Sequence, residues 1–595
     1  MSAVDAPPRR REVRGDYTLT PRTLLVAAIA MGVGACATVA AVLLLDLIAL
    51  CTNLFFFGRL SLAPASPVDH EWGALVVLVP VAGALIVGLM ARFGSERIRG
   101  HGIPEAMEAI LLRGSRIEPK IAVLKPVSAA ISIGSGGPFG AEGPIIMTGG
   151  AVGSIIAQML HLTAAERKTL LVAGAAGGMS AVFGTPIAAV LLAVELLLFE
   201  WKPRSLVPVA LAAATAAALR PALVGTGPIF PIPAHNLTLD ATGFAACLVA
   251  GLAAGVLSGF LSRSIYVVED AFARLPIHWM WWPAIGAVVV GVGGWIDPRV
   301  LGVGYENIGG LLDGTLVGNA VLGLMVLKSI VWIASLGTGT SGGVLAPLLT
   351  IGAALGALEA RVLPDGGPGF WPLIGMAAAL GGTMRCPLAA VLFAMEATHD
   401  LDALVPLLVA VSASYLFTTL TLPRSILTEK IARRGVHLSH EYAIDPLEIH
   451  FVREVMQPVP EVLAPDALVA DLGGVSVDQR LIPVVDGGRL VGVLTRRDLV
   501  GAPLGQAVSA WMREPVVVWS DDILRVVVNR MAESGRTCLP VLDPAAPDRL
   551  VGLVTLADLL RARAHELVAE GHRERPIPLR WPRWRETRKP GASSS

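Results

Sequence analysis

The chain has 595 residues, of which 54% are hydrophobic and 16% charged, with a mean hydropathy of +0.66. This lies well outside the composition of soluble enzymes and marks a polytopic membrane protein. Lysine plus arginine equals aspartate plus glutamate at 47 each, so no charge excess points to nucleic acid; the five scattered cysteines, with no CxxC, indicate neither a disulfide framework nor a metal site.

In chain order, residues 1–20 form a tail carrying Arg9, Arg10, Arg11 and Arg14. The apolar run from Leu24 to Leu50 is longer than a cleaved signal core, and basic residues ahead of it predict a cytoplasmic N-terminus. Apolar blocks follow at about 73–92, 121–133, 143–160, 169–198, 205–223, 241–262, 277–295, 317–336, 344–362, 371–383, 386–397 and 403–421. Several fall short of the about 20 residues a bilayer crossing needs. Interrupted by Gly and Pro, they predict broken or re-entrant helices, which membranes tolerate only where protein or a water-filled cavity covers the open backbone.

The sharpest such break is Gly134–Gly153, GSGGPFGAEGPIIMTGGAVG, with eight glycines among twenty residues. Pro144 suits the first position of a helix, where its missing N–H would have had no partner. The free N–H groups and positive dipole end of that helix would face an anion, and Glu142 is the local carboxylate able to compete for the place. Helix termini and amides hold a halide modestly and let it leave, where a full lysine would trap it.

An internal repeat runs through the same region. VLKPVSAAISIGSGGPFGAEGP from Val123 matches VLKSIVWIASLGTGTSGGVLAP from Val326, aligning Lys125 with Lys328 and Pro144 with Pro347. TPIAAVLLAVELL from Thr185 matches CPLAAVLFAMEAT from Cys386, aligning Glu195 with Glu396. Two related halves in one membrane domain are a transporter plan, with the site at their interface. For Glu195 and Glu396 the equivalence favours pairing with backbone or helix ends; for Lys125 and Lys328 it favours snorkelling to an interface or satisfying loop carbonyls.

Three loops in order, GHGIP (Gly100–Pro104), GAEGP (Gly140–Pro144) and GVLAP (Gly343–Pro347), resemble the signature loops of the CLC chloride channels and antiporters. The resemblance spans roughly residues 20–435. It implies an all-α domain of two inverted repeats of tilted, broken helices, forming a homodimer with a separate pore in each subunit. By motif position, His101, Gly102, Ile103, Gly143, Val344 and Leu345 would line the anion path and Glu142 would gate it.

The chain departs from the family at several positions. Ala141 replaces the basic residue before the glutamate. His101 replaces an anion-coordinating serine, and two readings stand: a ring N–H donated to the anion, titrating between pH 5 and 8, or an imidazole that fills space or bonds a backbone carbonyl. The pore tyrosine would fall at Leu422–Ser425, where Pro423 stands. The inner glutamate of many antiporters is Leu196; Glu200 could substitute, but beside Trp201, Lys202 and Arg204 it reads as a solvated helix end.

Residues 452–566 change to short β-like runs and amphipathic helices in two copies: REVM from Arg453 with LIPVVDGGRLVGVLTRRDLV from Leu481, and SAWM from Ser509 with CLPVLDPAAPDRLVGLVTLADLL from Cys538. This α+β segment, after a linker at 436–451, resembles a tandem CBS pair, whose G-x-x-T-x-x-D ends a strand and starts a helix. The resemblance implies an adenine-nucleotide site at Thr495, Asp498, Thr555 and Asp558; the alternative is that Thr and Asp cap that helix. It also places the C-terminus in the cytoplasm. The basic tail, 567–595, with Trp581 and Trp584, is read as disordered or lying on anionic lipid.

The domain plan is thus 1–20, 21–435, 436–451, 452–566 and 567–595. The leading function is passage of a small inorganic anion, chloride first, through a Glu142-gated pore, channel-like or weakly coupled to protons, in the lipid bilayer and with no required cofactor. The alternatives are a proton-coupled antiporter of chloride, fluoride, nitrate or bicarbonate, and a CBS-regulated membrane sensor. No Ser/His or metal-binding constellation among the spans suggests an enzyme.

Overall fold

A computed structural model describes residues 21–571, apart from 161, 234–239, 434–446, 448–449, 460, 476–478 and 500–501. The expected tail at 1–20, nearly all of the linker at 436–451 and the tail beyond 571 lie outside the described residues. The chain divides into two compact units between residues 440 and 441.

Lipid offers no hydrogen-bond partners, so the first unit is built of helices that satisfy their own backbone. Its first eight are α1 (Arg22–Phe57), α2 (Leu78–Phe93), α3 (Ile103–Leu112), α4 (Pro119–Gly134), α5 (Glu142–Met159), α6 (Ala164–Phe183), α7 (Pro186–Ala193) and α8 (Pro203–Leu223). The next eight follow the same order: α9 (Ala241–Ala273), α10 (Trp282–Ile296), α11 (Tyr305–Leu312), α12 (Asn319–Gly337), α13 (Leu345–Glu359), α14 (Phe370–Met384), α15 (Pro387–Thr398) and α16 (Leu404–Thr421). A last helix, α17 (Ile426–Ala432), has no counterpart. Among the described residues, seven helical stretches are long and apolar enough to cross a bilayer, while α7, α13, α14 and α15 are short apolar helices. The chain is an integral, multi-pass membrane protein.

Two expectations are corrected. The apolar block 169–198 is not one segment: Gly184, in the left-handed region at φ +69°, ends α6, and Pro186 opens α7. Nor do α5 and α13 begin at their prolines; Pro144 and Pro347 are third residues, because any position in a first turn lacks an intrahelical N–H partner and accepts proline. The shift puts Glu142 at the first position of α5.

Glu195, in the π-helical turn Val194–Leu198 that continues α7, accepts from the N–H groups of Leu388 (3.2 Å) and Ala389 (2.9 Å) in the first turn of α15. Glu396, near the end of α15, accepts from Ile187 (3.0 Å) and Ala188 (2.8 Å) in the first turn of α7. Each repeat thus caps the other, as the pairing with helix ends predicts. The end of each helix lies at the start of its equivalent, so α7 and α15 are antiparallel and the two halves are inverted.

The paired lysines do not snorkel. Both are 0% exposed. Lys125 Nζ donates to the carbonyls of Ile98 (2.8 Å) and Gly100 (2.6 Å), and Lys328 Nζ to those of Val300 (2.9 Å) and Gly302 (3.1 Å). Each lysine satisfies the open carbonyls of a loop that no helix could satisfy.

The second unit holds a five-stranded sheet in the order β1 (Leu481–Asp486), β2 (Arg489–Thr495), β5 (Ala546–Thr555), β4 (Cys538–Asp543), β3 (Val518–Trp519). Both hairpins share a register, Leu481 opposite Thr495 and Cys538 opposite Thr555. The parallel β3–β4 pair is echoed in the first copy by a bridge from Leu463 to Val484. The helices are α18 (Val452–Val455), α19 (Leu524–Ser534) and α20 (Leu556–Gly571). Among the described residues, the first copy has 3-10 turns at Val469–Gly474 and Arg496–Leu499 at the places of α19 and α20. α20 also runs past residue 566.

Replacing Glu195 or Glu396 by Gln removes charge-assisted bonds to two helix-start amides. Each substitution is expected to cost about 1–3 kcal/mol, seen as a lower midpoint in thermal unfolding of the detergent-solubilised protein; an unchanged midpoint contradicts the capping role.

Candidate functional site

The Gly/Pro breaks meet at one place. Gly140 and Gly343 pair as a single antiparallel bridge, with Gly343 N donating to Gly140 O at 2.9 Å and Gly140 N to Gly343 O at 3.3 Å. Gly342 N reaches Gly100 O at 3.4 Å, tying in the first signature loop. The approach is so close that a Cβ on Gly143 would overlap the His101 carbonyl oxygen, and one on Gly102 the Gly143 carbonyl. The N-termini of α3, α5 and α13 therefore converge, leaving first-turn N–H groups without intrahelical partners around one point.

At that point stands Glu142, 0% exposed. Its Oε1 accepts from the hydroxyl of Tyr305 at 3.2 Å, while Oε2 makes no hydrogen bond among the described residues. A Cβ on Gly343 would lie 2.6 Å from Oε2, so only glycine leaves room for the carboxylate. His101 is 4% exposed, with Nδ1 unpartnered among the described residues. Ile103, Gly143, Val344 and Leu345 are all buried at the junction. Gly102 differs in kind: its N–H is spent on Glu105 Oε2 at 2.7 Å, and what it gives the junction is its missing side chain.

Cavities open on either side. One, of about 600 Å³, touches Gly100, Glu105 and Met147 and carries Arg97, Arg99, Arg113, Arg116, Lys120 and Lys430 among an almost equal number of carboxylates. The other, of about 380 Å³, touches Ala141 and Tyr305; its charged lining residues are Asp46 and Glu306. They lie at opposite ends of the unit. α1 begins at Arg22, which pairs with Glu166, beside Arg167 bonded to Gly114 O on the basic side, whereas its residues 42–52 line the acidic cavity.

Sequence reasoning missed Tyr305. Its signal was the Gly302-Val303-Gly304 run ahead of it, which repeats the Gly-x-Gly of the first signature loop. The region Leu422–Ser425 carries no tyrosine; Ser425 instead caps α17, accepting from Thr428 N at 3.2 Å.

The family pattern described as voltage gated chloride channel matches residues 82–419, more than half of the chain. The chain belongs to that family. The CBS domain pattern matches residues 452–505 and 508–565. Among curated relatives, a ClcB-like chloride channel protein of Ralstonia nicotianae is 29% identical over 386 residues, 63% of this chain and 89% of that protein. The voltage-gated ClC-type chloride channel ClcB of Citrobacter koseri is 29% identical over 376 residues, covering 60% and 88%. Similar solved structures include a slow cyanobacterial Cl−/H+ antiporter (TM-score 0.61, 21% identity, 70% of this chain and 99% of that one) and a CLC-type fluoride/proton antiporter (0.59, 20%, 69% and 98%). At these identities the structures establish the CLC fold alone.

Two further positions bear on what a CLC protein of this kind can do. Leu196 is 2% exposed. Glu200 is not a solvated helix end but a half-buried ion-pair centre, accepting from Ser205 Oγ at 2.7 Å and lying 3.1 Å from Lys168 Nζ.

In the CBS pair, Asp498 Oδ2 accepts from Thr495 N (3.0 Å) and Oγ1 (2.7 Å), and Asp558 Oδ2 from Thr555 N (2.9 Å) and Oγ1 (2.7 Å). Arg513 pairs with Asp498, and Gln457 Nε2 with Asp558 at 3.1 Å. Burial pushes the Asp498 carboxyl up, but the Thr495 bonds with Arg513 and Arg536 hold it below the usual carboxylate range. The two aspartate side chains are 8% and 1% exposed, their acceptor positions filled from within. This is the capping arrangement.

Gly143→Ala is expected to cost about 1–3 kcal/mol and to abolish anion flux. Gly32→Ala, in α1 where an added Cβ meets nothing within 4 Å, is expected to be neutral or to stabilise by about 0.4–1 kcal/mol. Unfolding midpoints and flux of the two variants in parallel check this.

Proposed function

We propose that the chain carries a small inorganic anion, chloride foremost, along a path from the basic cavity past His101 and Glu142 to the acidic cavity. The observation that carries this reading is a fully buried carboxylate set where helix N-termini from both halves converge, in the position an anion would take. Glu142 acts as the gate, and His101, Gly102, Ile103, Gly143, Val344 and Leu345 line the path. The unpartnered Nδ1 of His101 supports the ring as an anion ligand over the reading in which it bonds a carbonyl.

The movement is channel-like or weakly coupled to protons. Support comes from Leu196, where coupled relatives often carry a second glutamate, and from Glu200, held by Lys168 and Ser205. A second reading, proton-coupled exchange of chloride or fluoride, draws on the intact Glu142 and on the antiporters among the similar structures.

The protein works as a homodimer with one path per subunit. Both ends of the membrane unit face the cytoplasm: Arg22 at the start of α1 lies on the basic side, and so does α17, whose Lys430 lines the basic cavity and pairs with Glu105 at 2.6 Å. The domain limits 21–435 and 452–566 are kept as the working division. The CBS pair is a regulatory module, with no step assigned to a nucleotide.

Glu142→Gln removes the titrating group, and chloride flux from liposomes should then lose its pH dependence; a profile like that of wild type rules out the gate. In the wild type, an outward chloride gradient should drive little or no uphill proton uptake, and strong uptake favours the exchanger.

His101→Ser should alter the relative flux of chloride, nitrate, fluoride and bicarbonate. A ring that only fills space would leave that order unchanged.

A further inference from the structure

The loop that Lys328 holds is the second-half copy of the first signature loop. Gly302-Val303-Gly304-Tyr305 follows the pattern of Gly100-His101-Gly102-Ile103. The glycines are left-handed in both, at φ +89° and +91° in the first and +63° and +77° in the second. In each, a buried lysine grips two carbonyls, and each loop opens a short helix, α3 or α11. Each loop is also tied to the Gly-rich break of the other half, Gly100 O accepting from Gly342 N and Gly302 N donating to Gly136 O at 3.1 Å. The junction therefore receives a fourth helix start, from the acidic side, and Tyr305 is its first residue.

Tyr305 has little freedom there. Its ring meets Phe183 edge-on at 6.2 Å and Phe230 at 5.8 Å, and Phe183 meets Phe393 at 5.1 Å. Such edge-to-face clusters fix ring orientation. The ring lines the acidic cavity, and the hydroxyl donates to Glu142 Oε1, the side-chain hydrogen bond of that carboxylate. The charged groups around the path are Asp46 and Glu306 in the acidic cavity, Lys328 behind the loop that Tyr305 follows, and Glu105, Lys125 and Lys430 behind His101.

We propose that Tyr305 is a latch, a positioning residue whose hydroxyl holds Glu142 in the closed place and must be released before the path opens. This rests on Glu142 being the gate. Hydroxyl and carboxylate come from different halves, so the latch closes across the repeat interface. An O–H donor favours the charged form of its acceptor, so the bond is strongest when the gate is ionised and weakest once it is protonated.

The test uses full-length protein in phosphatidylethanolamine/phosphatidylglycerol vesicles, with chloride flux measured at neutral and acid pH. Tyr305→Phe keeps the ring and removes the donor. Flux at neutral pH should rise roughly tenfold, with acid-pH flux as in wild type, which also reports an intact fold. Neutral-pH flux that is unchanged or lower in Tyr305→Phe, while Glu142→Gln opens the path, overturns the latch and leaves the gate standing. If Glu142→Gln itself keeps the wild-type pH profile, the gate reading fails and the latch with it. The double variant Tyr305→Phe/Glu142→Gln should match Glu142→Gln alone; any further change means the hydroxyl acts elsewhere, and the latch is overturned.

Discussion

Helix ends that stop inside a bilayer must find their partners within the protein, because the surrounding lipid has neither donors nor acceptors. The rest of this membrane unit depends on that constraint. Its loops answer it by bonding one another: Gly140 to Gly343, Gly342 to Gly100, Gly302 to Gly136. Glycine is required because the backbones approach to contact; a single Cβ at Gly143 would displace the His101 carbonyl. What is left over is a small set of first-turn N–H groups that the loops do not use, and their dipoles add up where the loops meet. The proposed anion site is then what remains of a solved hydrogen-bonding problem, which accounts for its central place.

Two fully buried lysines and two partly buried glutamates serve the same constraint. Lys125 and Lys328 replace missing N–H donors to loop carbonyls, and Glu195 and Glu396 replace missing acceptors for helix-start amides. Their logic differs. Each lysine holds two carbonyls of a loop in its own half, Lys125 also reaching Ser341 Oγ of the other half at 3.2 Å, whereas the amides that each glutamate caps belong to the other half, so the glutamates join the pair. Inversion follows from the second kind, since reciprocal capping of equivalent helices is possible only when they run antiparallel.

Much of this was legible because the duplication is written at two independent places, the Lys-to-Pro and Pro-to-Glu segments, each in constant register. Glutamates at equivalent positions already implied structural partners. Other features were hidden for physical reasons. Proline is tolerated anywhere in a first turn, so it marks a helix start without fixing the residue, and Glu142 proved to be inside α5. The copy of the first signature loop shares just Gly-x-Gly before Tyr305, too short a string to notice without the lysine that grips it. In the CBS pair, the T-x-x-D spacing is common to capping and to ligand binding, and the capping bonds of Asp498 and Asp558 became visible only in the structure.

The two cavities give the proposed path an electrical polarity that the inverted repeat alone would not. Symmetry of fold makes the junction similar from either side, yet the lining charges are unlike: cations and carboxylates nearly balanced on one side, Asp46 and Glu306 without a lysine or arginine on the other. Ala141, standing where a basic residue is usual, deepens the contrast. Charges at a mouth set the local concentration of an arriving ion and hence its rate of access, an effect that fades once the Debye length, about 8 Å at physiological salt, is short of the mouth's width. They leave the equilibrium between the two bulk solutions untouched. Polarity of this kind therefore acts on the rates of loading from each face, whereas the direction of net movement still belongs to the gradients.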